Sequence, residues 1–298
     1  MFDFATFSQF LLSGLTTGCI YALVALGFVL CANVSGVLNF AQGEFVVYGG
    51  LVAVSLIGFG APTLLAVMGA VFVGGLLGLI QERLTLEPVR HSPAFIQITV
   101  TLGVSVLLRG LALIIWGKDP LAMPAFGGMD GVFEFAGAIL PWQNLWVWVT
   151  TALLMVVMFW FLKFTRAGCA VRACSINLHA ARLMGINTER MSTLVFAASG
   201  ALGALGGAVI APIALALWSS GLDYGLKGFI GAVIGGFRSP GLAVLGGLGI
   251  GVAELMAAGY VSSGAKDMIV YLVLLIYLLI RGGVFARGRA ALLTGESS

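Results

Sequence analysis

Charge is what this chain lacks. Only 9% of its 298 residues are Asp, Glu, Lys or Arg, against about 25% in an ordinary soluble domain, and a water-facing shell cannot be built from so few. A soluble globular class is therefore excluded. Histidine is nearly absent: His91 and His179 are the two in the chain, and both fall in polar connections, so an intramembrane Ser–His protease lacks its base. The four cysteines, Cys19, Cys31, Cys169 and Cys174, make no metal or redox motif. No G-x-x-x-x-G-K-S/T phosphate loop occurs, so the chain does not bind ATP by that route. The net charge of +3 is too small to suggest a nucleic-acid partner.

What is present is apolar sequence, 60% of the chain, and 43 glycines. That is about twice the usual glycine frequency, as expected where helix backbones approach closely in lipid. Apolar runs of spanning length, each about 20 residues, are expected near 10–31, 40–58, 63–80, 94–116, 145–162, 192–218, 241–257 and 268–280. A shorter piece at 228–237 is about half a bilayer long. The expected fold is all-α, a polytopic membrane helical bundle of eight or nine spans, some broken or re-entrant, in one transmembrane domain over 1–298. The start of the chain lacks a basic n-region, and its first apolar run is long enough to span, so no cleavable signal peptide is expected.

Orientation follows from Lys and Arg in short loops. The 163–190 connection carries Lys163, Arg166, Arg172, Arg182 and Arg190 against Glu189, and the tail adds Arg281, Arg287 and Arg289. The 117–143 connection carries Lys118 against Asp119, Asp130 and Glu134, and ends in Trp142, Trp146 and Trp148. Hence 163–190 and the C-terminus are expected in the cytoplasm and 117–143 outside. Counting back from the outer loop puts the N-terminus outside, which favours nine crossings. Small residues four apart (Ala70, Gly74 and Gly78; Gly203 and Gly207; Gly231 and Gly235; Gly247 and Gly251) predict tight helix contacts. Segments 36–50 and 221–236 echo each other, both glycine-rich with isolated charges, in the manner of paired broken elements in transporters.

Four features could carry chemistry. Residues 36–45 hold Asn39, Gln42 and Glu44 at the end of an uncharged run of some forty residues. Polar groups at membrane depth pack against protein or a water-filled path, so a broken helix lining a permeation route is expected. The plainer alternative is a turn at the membrane face with Glu44 solvated. Gln97, Thr101, Ser105 and Arg109 recur every four residues and share one helical sector. They form either a hydrophilic face along a solute path or a set of bonds to neighbouring helices, with Arg109 snorkelling or paired. Glu254, in a glycine-rich span, is expected to be structural or interfacial, for want of a His or Lys partner in the membrane. In 163–190, Asn177 is an N-cap candidate, 180–184 favours helix and Gly185 is a natural stop. This short amphipathic helix is either a surface helix or a dock for a cytosolic partner.

Three stretches together resemble the permease subunits of branched-chain amino acid ABC importers, of the LivH type. They are Gly14 to Gly27 running into the Gly36–Glu44 segment, the loop from Arg166 to Asn187, and Gly228 to Gly241 followed by the span to Glu254. The family usually shows His where this chain has Gln42, which argues against a titrating role there. The resemblance implies half of an import channel in the bacterial inner membrane, with Asn39, Gln42, Glu44, Gln97, Thr101 and Ser105 beside the substrate path. It implies a second, similar permease as heterodimer partner, two cytosolic ATPase subunits that bind the ATP, and a periplasmic solute-binding protein. Arg172, Asn177, His179, Ala181, Gly185 and Asn187 would couple the chain to the ATPases. The chain itself would be no enzyme and hold no cofactor. The expected cargo is branched-chain or other hydrophobic amino acids; the alternatives are urea, short amides or aromatic acids, or a stand-alone secondary transporter or channel.

Overall fold

The computed structural model describes residues 4–128, 131–237 and 239–294; Asp130 and the side chains of Arg287 and Arg289 lie outside the described residues. Eleven α-helices follow one another: α1 (Phe4–Ser35), α2 (Gln42–Gly58), α3 (Thr63–Gln81), α4 (Ala94–Trp116), α5 (Trp142–Phe164), α6 (Arg166–Ile176), α7 (Leu178–Leu183), α8 (Thr188–Ala214), α9 (Gly221–Ile234), α10 (Pro240–Tyr260) and α11 (Lys266–Thr294). A π-helical turn, Glu82–Leu86, prolongs α3. Among the described residues seven helices are long and apolar enough to cross a membrane: α1, α3 with its π turn, α4, α5, α8, α10 and α11. The apolar α2 and α9 are shorter, at 17 and 14 residues. This is a multi-pass helical membrane bundle, and the two short helices account for the expected eighth and ninth segments.

Burial sorts the helices into layers. The spanning windows of α1 and α8 are 83% and 72% buried, whereas those of α3, α4, α5 and α11 are 22% or less. Exposed Leu, Phe, Ile and Val on those outer helices are normal where the surrounding solvent is hydrocarbon. The inner contacts rest on small residues. A Cβ on Gly251 would overlap the backbone of Gly18 and one on Gly247 the backbone of Ala22, so α1 and α10 touch backbone to backbone. Gly74 and Gly78 seat α3 against Phe196, Gly200 and Ala204 of α8, and Gly203 and Gly207 seat α8 against Phe45 and Val46 of α2. Gly231 and Gly235 do the same for α9 against Gly247 and Ala243 of α10. All four small-residue ladders in the sequence are thus helix–helix contacts, where close approach gains dispersion energy that lipid cannot match.

One element is not helical. The 117–143 connection folds into a hairpin, β1 (Val132–Phe135) with β2 (Ala138–Pro141). Ala136 and Gly137 turn it at φ 52° and 78°, as a two-residue type I′ turn requires. Gln9 of α1 brackets the hairpin, donating to Ile139 O at 3.0 Å and accepting from Ile139 N at 2.8 Å. The alternation in 132–141 is too short to stand out in a chain this apolar.

Candidate functional site

α1 stops at Ser35 because Gly36 adopts φ 75°, a left-handed conformation that costs glycine little. Residues 37–41 then run without helix into α2, and Asn39, Ala41 and Gln42 are wholly buried. Irregular backbone at membrane depth must find its partners within the protein, and here side chains supply them. The side-chain Oδ1 of Asn39 accepts from Ala41 N at 3.2 Å. Thr101 of α4 accepts from Phe40 N at 3.3 Å and stands 3.2 Å from Leu38 O. Asn39 and Gln81 exchange amide bonds at 2.7 and 3.2 Å, tying the break to the end of α3. Gln42 reaches α8, accepting from Ser199 Oγ at 2.6 Å and donating to Ser199 O at 3.1 Å; Gly27 of α1 leaves it room.

Glu44, 1% exposed, is not solvated. It accepts from Ser105 at 2.9 Å and from Arg109 at 2.7 Å, both on α4. Its carboxylate lies against Gly221, the first residue of α9, and Gly43 packs on Gly221 and Gly225. The two glycine-rich segments that echo each other in sequence therefore meet in space. Two helix N-termini, both favourable to negative charge, converge on one carboxylate. Glu44 Oε2 and Arg109 Nε nevertheless have no hydrogen-bond partner among the described residues.

The polar stripe of α4 is the other side of this seam. Four residues rise about 6 Å, so the stripe climbs alongside the break. Gln97 donates to the carbonyls of Val89, Arg90 and Ser92 at 3.3, 2.9 and 2.9 Å. Thr101 meets 38–40, and Ser105 and Arg109 meet Glu44. Gln97 is thus held to the 89–92 turn, apart from the group that Asn39, Gln42, Glu44, Thr101 and Ser105 form. Tyr48 and Ser55 of α2 complete the attachment through Leu108 O at 2.9 Å and Trp116 Nε1 at 2.6 Å.

Glu254 corrects an expectation: it has a lysine partner in the bundle. Lys227 of α9 donates to Glu254 Oε1 at 2.7 Å and to Asp267 of α11 at 2.7 Å, and Tyr21 of α1 donates to Glu254 Oε2 at 2.7 Å. The pair lies 27 residues apart in sequence, and a lone Lys amid GLDYGLKGF carries no spacing signal that pairs it with Glu254. Four helices are joined through this network.

The 163–190 connection folds into two capped helices. Thr165 accepts from Gly168 N at 2.9 Å, Asn177 from Ala180 N at 3.0 Å and Asn187 from Arg190 N at 3.0 Å, and Gly185 ends the turn after α7 at φ 82°. His179 and Arg172 are exposed. Ala181, 4% exposed, faces inward and joins Val171 and Cys174 in one apolar cluster with Leu30, Cys31, Val34 and Val37. α6 therefore rests on the end of α1 beside the α1–α2 break, and α7 rests on α6 and α8. At their tips Ile176, Leu183 and Met184 are 86%, 77% and 83% exposed. Sequence reasoning missed these three, since apolar side chains at a polar surface stand out only once the helix ends are known. Burial pushes the Cys174 thiol above its usual range, partly offset by Arg182.

A family model described as branched-chain amino acid transport system / permease component matches residues 10–279. The chain belongs to this family. Among its relatives are the high-affinity branched-chain amino acid transport system permease protein LivH of Salmonella typhimurium, 32% identical over 93% of this chain and 94% of that one, and BraD of Pseudomonas aeruginosa, 31% identical over 92% and 93%. More distant is the ribose import permease protein RbsC of Escherichia coli, 27% identical over 82% of this chain and 73% of that one. No solved structure matches. A transport permease component is not itself an enzyme. In this LivH-type permease, the buried polar seam, the Lys227–Glu254 network and the capped α6–α7 pair are features that simple lipid-facing packing does not require.

Proposed function

We propose that this permease is the membrane subunit of an ABC importer, forming half of a translocation path for branched-chain or other hydrophobic amino acids. One observation carries the reading. The exposed tip of α7 packs on α6, and Ala181 of α7 with Cys174 and Val171 of α6 belongs to the same apolar cluster as Val34 and Val37 on either side of Gly36. A push on the tip therefore arrives at a break in the bundle, the place where two helices hinge without losing a helical hydrogen-bond ladder.

The work is divided accordingly. Cytosolic ATPase subunits bind the ATP and dock on Leu183 and Met184, with His179 and Arg172 beside them and Asn177, Gly185 and Asn187 holding the shape of the 163–190 coupling loop. That loop and the C-terminus lie in the cytoplasm. Displacement of α7 shifts the end of α1 against α2 and α4. Asn39, Gln42, Glu44, Thr101 and Ser105 then exchange their mutual bonds for bonds to water and the passing solute, while Gln97 keeps α4 fixed to the 89–92 turn. Polar groups that satisfy one another when the seam is closed impose a small cost on opening it. A second, similar permease supplies the other wall, and a periplasmic solute-binding protein sets most of the specificity. That division accounts for LivH and RbsC sharing one family likeness under names with different cargo, and it leaves urea, short amides and aromatic acids as alternative cargo.

The test is co-purification in mild detergent followed by reconstitution. An ATPase and a second permease should accompany the wild type, and the ATPase should be lost when Leu183 and Met184 become Ser. Because Ala181 is buried, a bulky residue there would unseat α7 and confuse docking with folding. A second reading, ion-coupled transport by this chain alone, draws on the buried Lys227–Glu254 pair. Uptake by the lone chain under an ion gradient without ATP would establish it and sink the importer.

A further inference from the structure

A cavity of about 690 Å³ lies between α1, α5, α6 and the start of α10. None of the bonds just described passes through it. Its interior is apolar, walled by Leu26, Leu30, Met155, Met158, Phe159 and Leu162. It follows α1 from Leu26 to Val34 and α5 from Met155 to Lys163, about 12 Å along each helix. That is roughly the depth of the outer part of one leaflet.

The mouth has the opposite character. Lys163, at the last turn of α5, and Arg172, on α6, line it together with Ser175, Asn33 and the Ser239–Gly241 start of α10. Neither cation has an acidic partner among the described residues. Lys163 rests 5.5 and 5.3 Å from the ring centroids of Phe159 and Phe164, the posture of a lysine at the boundary between hydrocarbon and headgroups. Because Ser239, Pro240 and Gly241 line the mouth, the positive end of the α10 dipole faces it, with Leu242 N already capped by Ser239 at 3.4 Å. No Asp or Glu lines the cavity among the described residues.

From this we infer that the cavity binds one anionic phospholipid of the surrounding leaflet, its phosphate between Lys163, Arg172 and the α10 N-terminus and an acyl chain along Met155, Met158 and Leu162. A basic mouth over an apolar slot between helices selects a headgroup by charge and a tail by shape. A free amino acid is too small to fill the slot and would bury its ammonium among apolar walls. The lipid braces the α5–α6 elbow, where Gly168 packs on Phe161 and Leu162.

The test is native mass spectrometry of the delipidated full chain, titrated with phosphatidylglycerol and, separately, with phosphatidylethanolamine. Phosphatidylglycerol should bind the wild type more tightly. The double substitution Lys163→Gln with Arg172→Gln should weaken it about 30-fold, about 2 kcal/mol for two cations. The swap Lys163→Arg with Arg172→Lys should retain binding, which separates lost charge from lost fold. Met158→Trp should weaken both lipids by filling the slot. Arg190→Gln, on the same face but outside the cavity, should change nothing. Equal affinity for the two lipids, or equal loss in the Arg190 variant, would overturn the proposal in favour of diffuse surface charge. Displacement of phosphatidylglycerol by free leucine would overturn it in favour of a solute chamber.

Discussion

The Glu44–Arg109 pair is the place to separate structure from transport. At 2.7 Å, with an effective dielectric near 20, the gross attraction is about 6 kcal/mol. Most of that is offset by the desolvation of both groups, so the pair contributes little beyond what an uncharged pair would. Breaking it from one side is different. Arg109→Met strands a carboxylate that is 1% exposed and should cost about 3–5 kcal/mol. Glu44→Gln should cost less, about 2 kcal/mol, since the Arg109 side chain is 23% exposed and reaches water once released. The double substitution removes both charges, and its loss should fall well short of the sum, leaving a coupling of at least about 2 kcal/mol. Thermal unfolding in one detergent, followed by tryptophan fluorescence, measures the three variants. If the proposed path runs along the seam, uptake by the reconstituted complex should remain impaired in the double variant despite its recovered stability, because the carboxylate of Glu44 is gone from it. Additive losses would refute the ionic coupling. Full uptake in the double variant would refute any part for the seam in the path.

Other expectations are simpler to read. Thr101→Leu removes the side-chain partner of Phe40 N and should lower uptake while membrane abundance, measured by immunoblot, stays near wild type. Lys227→Met leaves Glu254 buried with Tyr21 and the half-exposed Lys266 at 3.6 Å, and should lower the thermal midpoint by several degrees, at a cost below the ~3–5 kcal/mol of a wholly unpaired buried charge; Lys227→Met combined with Glu254→Gln should restore part of it. Gly251→Val drives a branched side chain into Gly14 and Gly18 of α1, and the yield of monodisperse protein should collapse on size-exclusion chromatography. Asn177→Ala removes the α7 cap and should cost about 1 kcal/mol locally, seen as faster amide exchange over 178–183. With maleimide at pH 7, exposed Cys169 should label first. Cys174, buried and with its thiol pushed up, should lag because the thiolate is the reactive form; equal rates would mean that α6 is not seated as described.

The sequence by itself determined the class, the approximate spans, the small-residue contacts, and the Asn177 cap and Gly185 stop of α7. Each of these is local: hydrophobic run length, a four-residue spacing, or an Asn one turn before its N–H partner. It also held Asn39, Gln42, Glu44, Thr101, Ser105 and Arg109 of the polar seam, because a polar residue in an apolar run is visible without a fold; their partners Gln81 and Ser199 went unmarked. What it left open was their use. Whether Thr101 and Ser105 faced a path or a neighbour depended on the rotation of α4, which an apolar helix in lipid does not encode, as hydrocarbon and protein interior look alike to its side chains. Only the tertiary structure paired Lys227 with Glu254, brought Gly43 onto Gly221, made Glu44 the buried partner of Arg109, and set Lys163 and Arg172 over one apolar slot. Those contacts join residues from 9 to 178 positions apart. In a bundle of this kind they are decided by how closely glycine lets the helix backbones approach, a property of the packed whole.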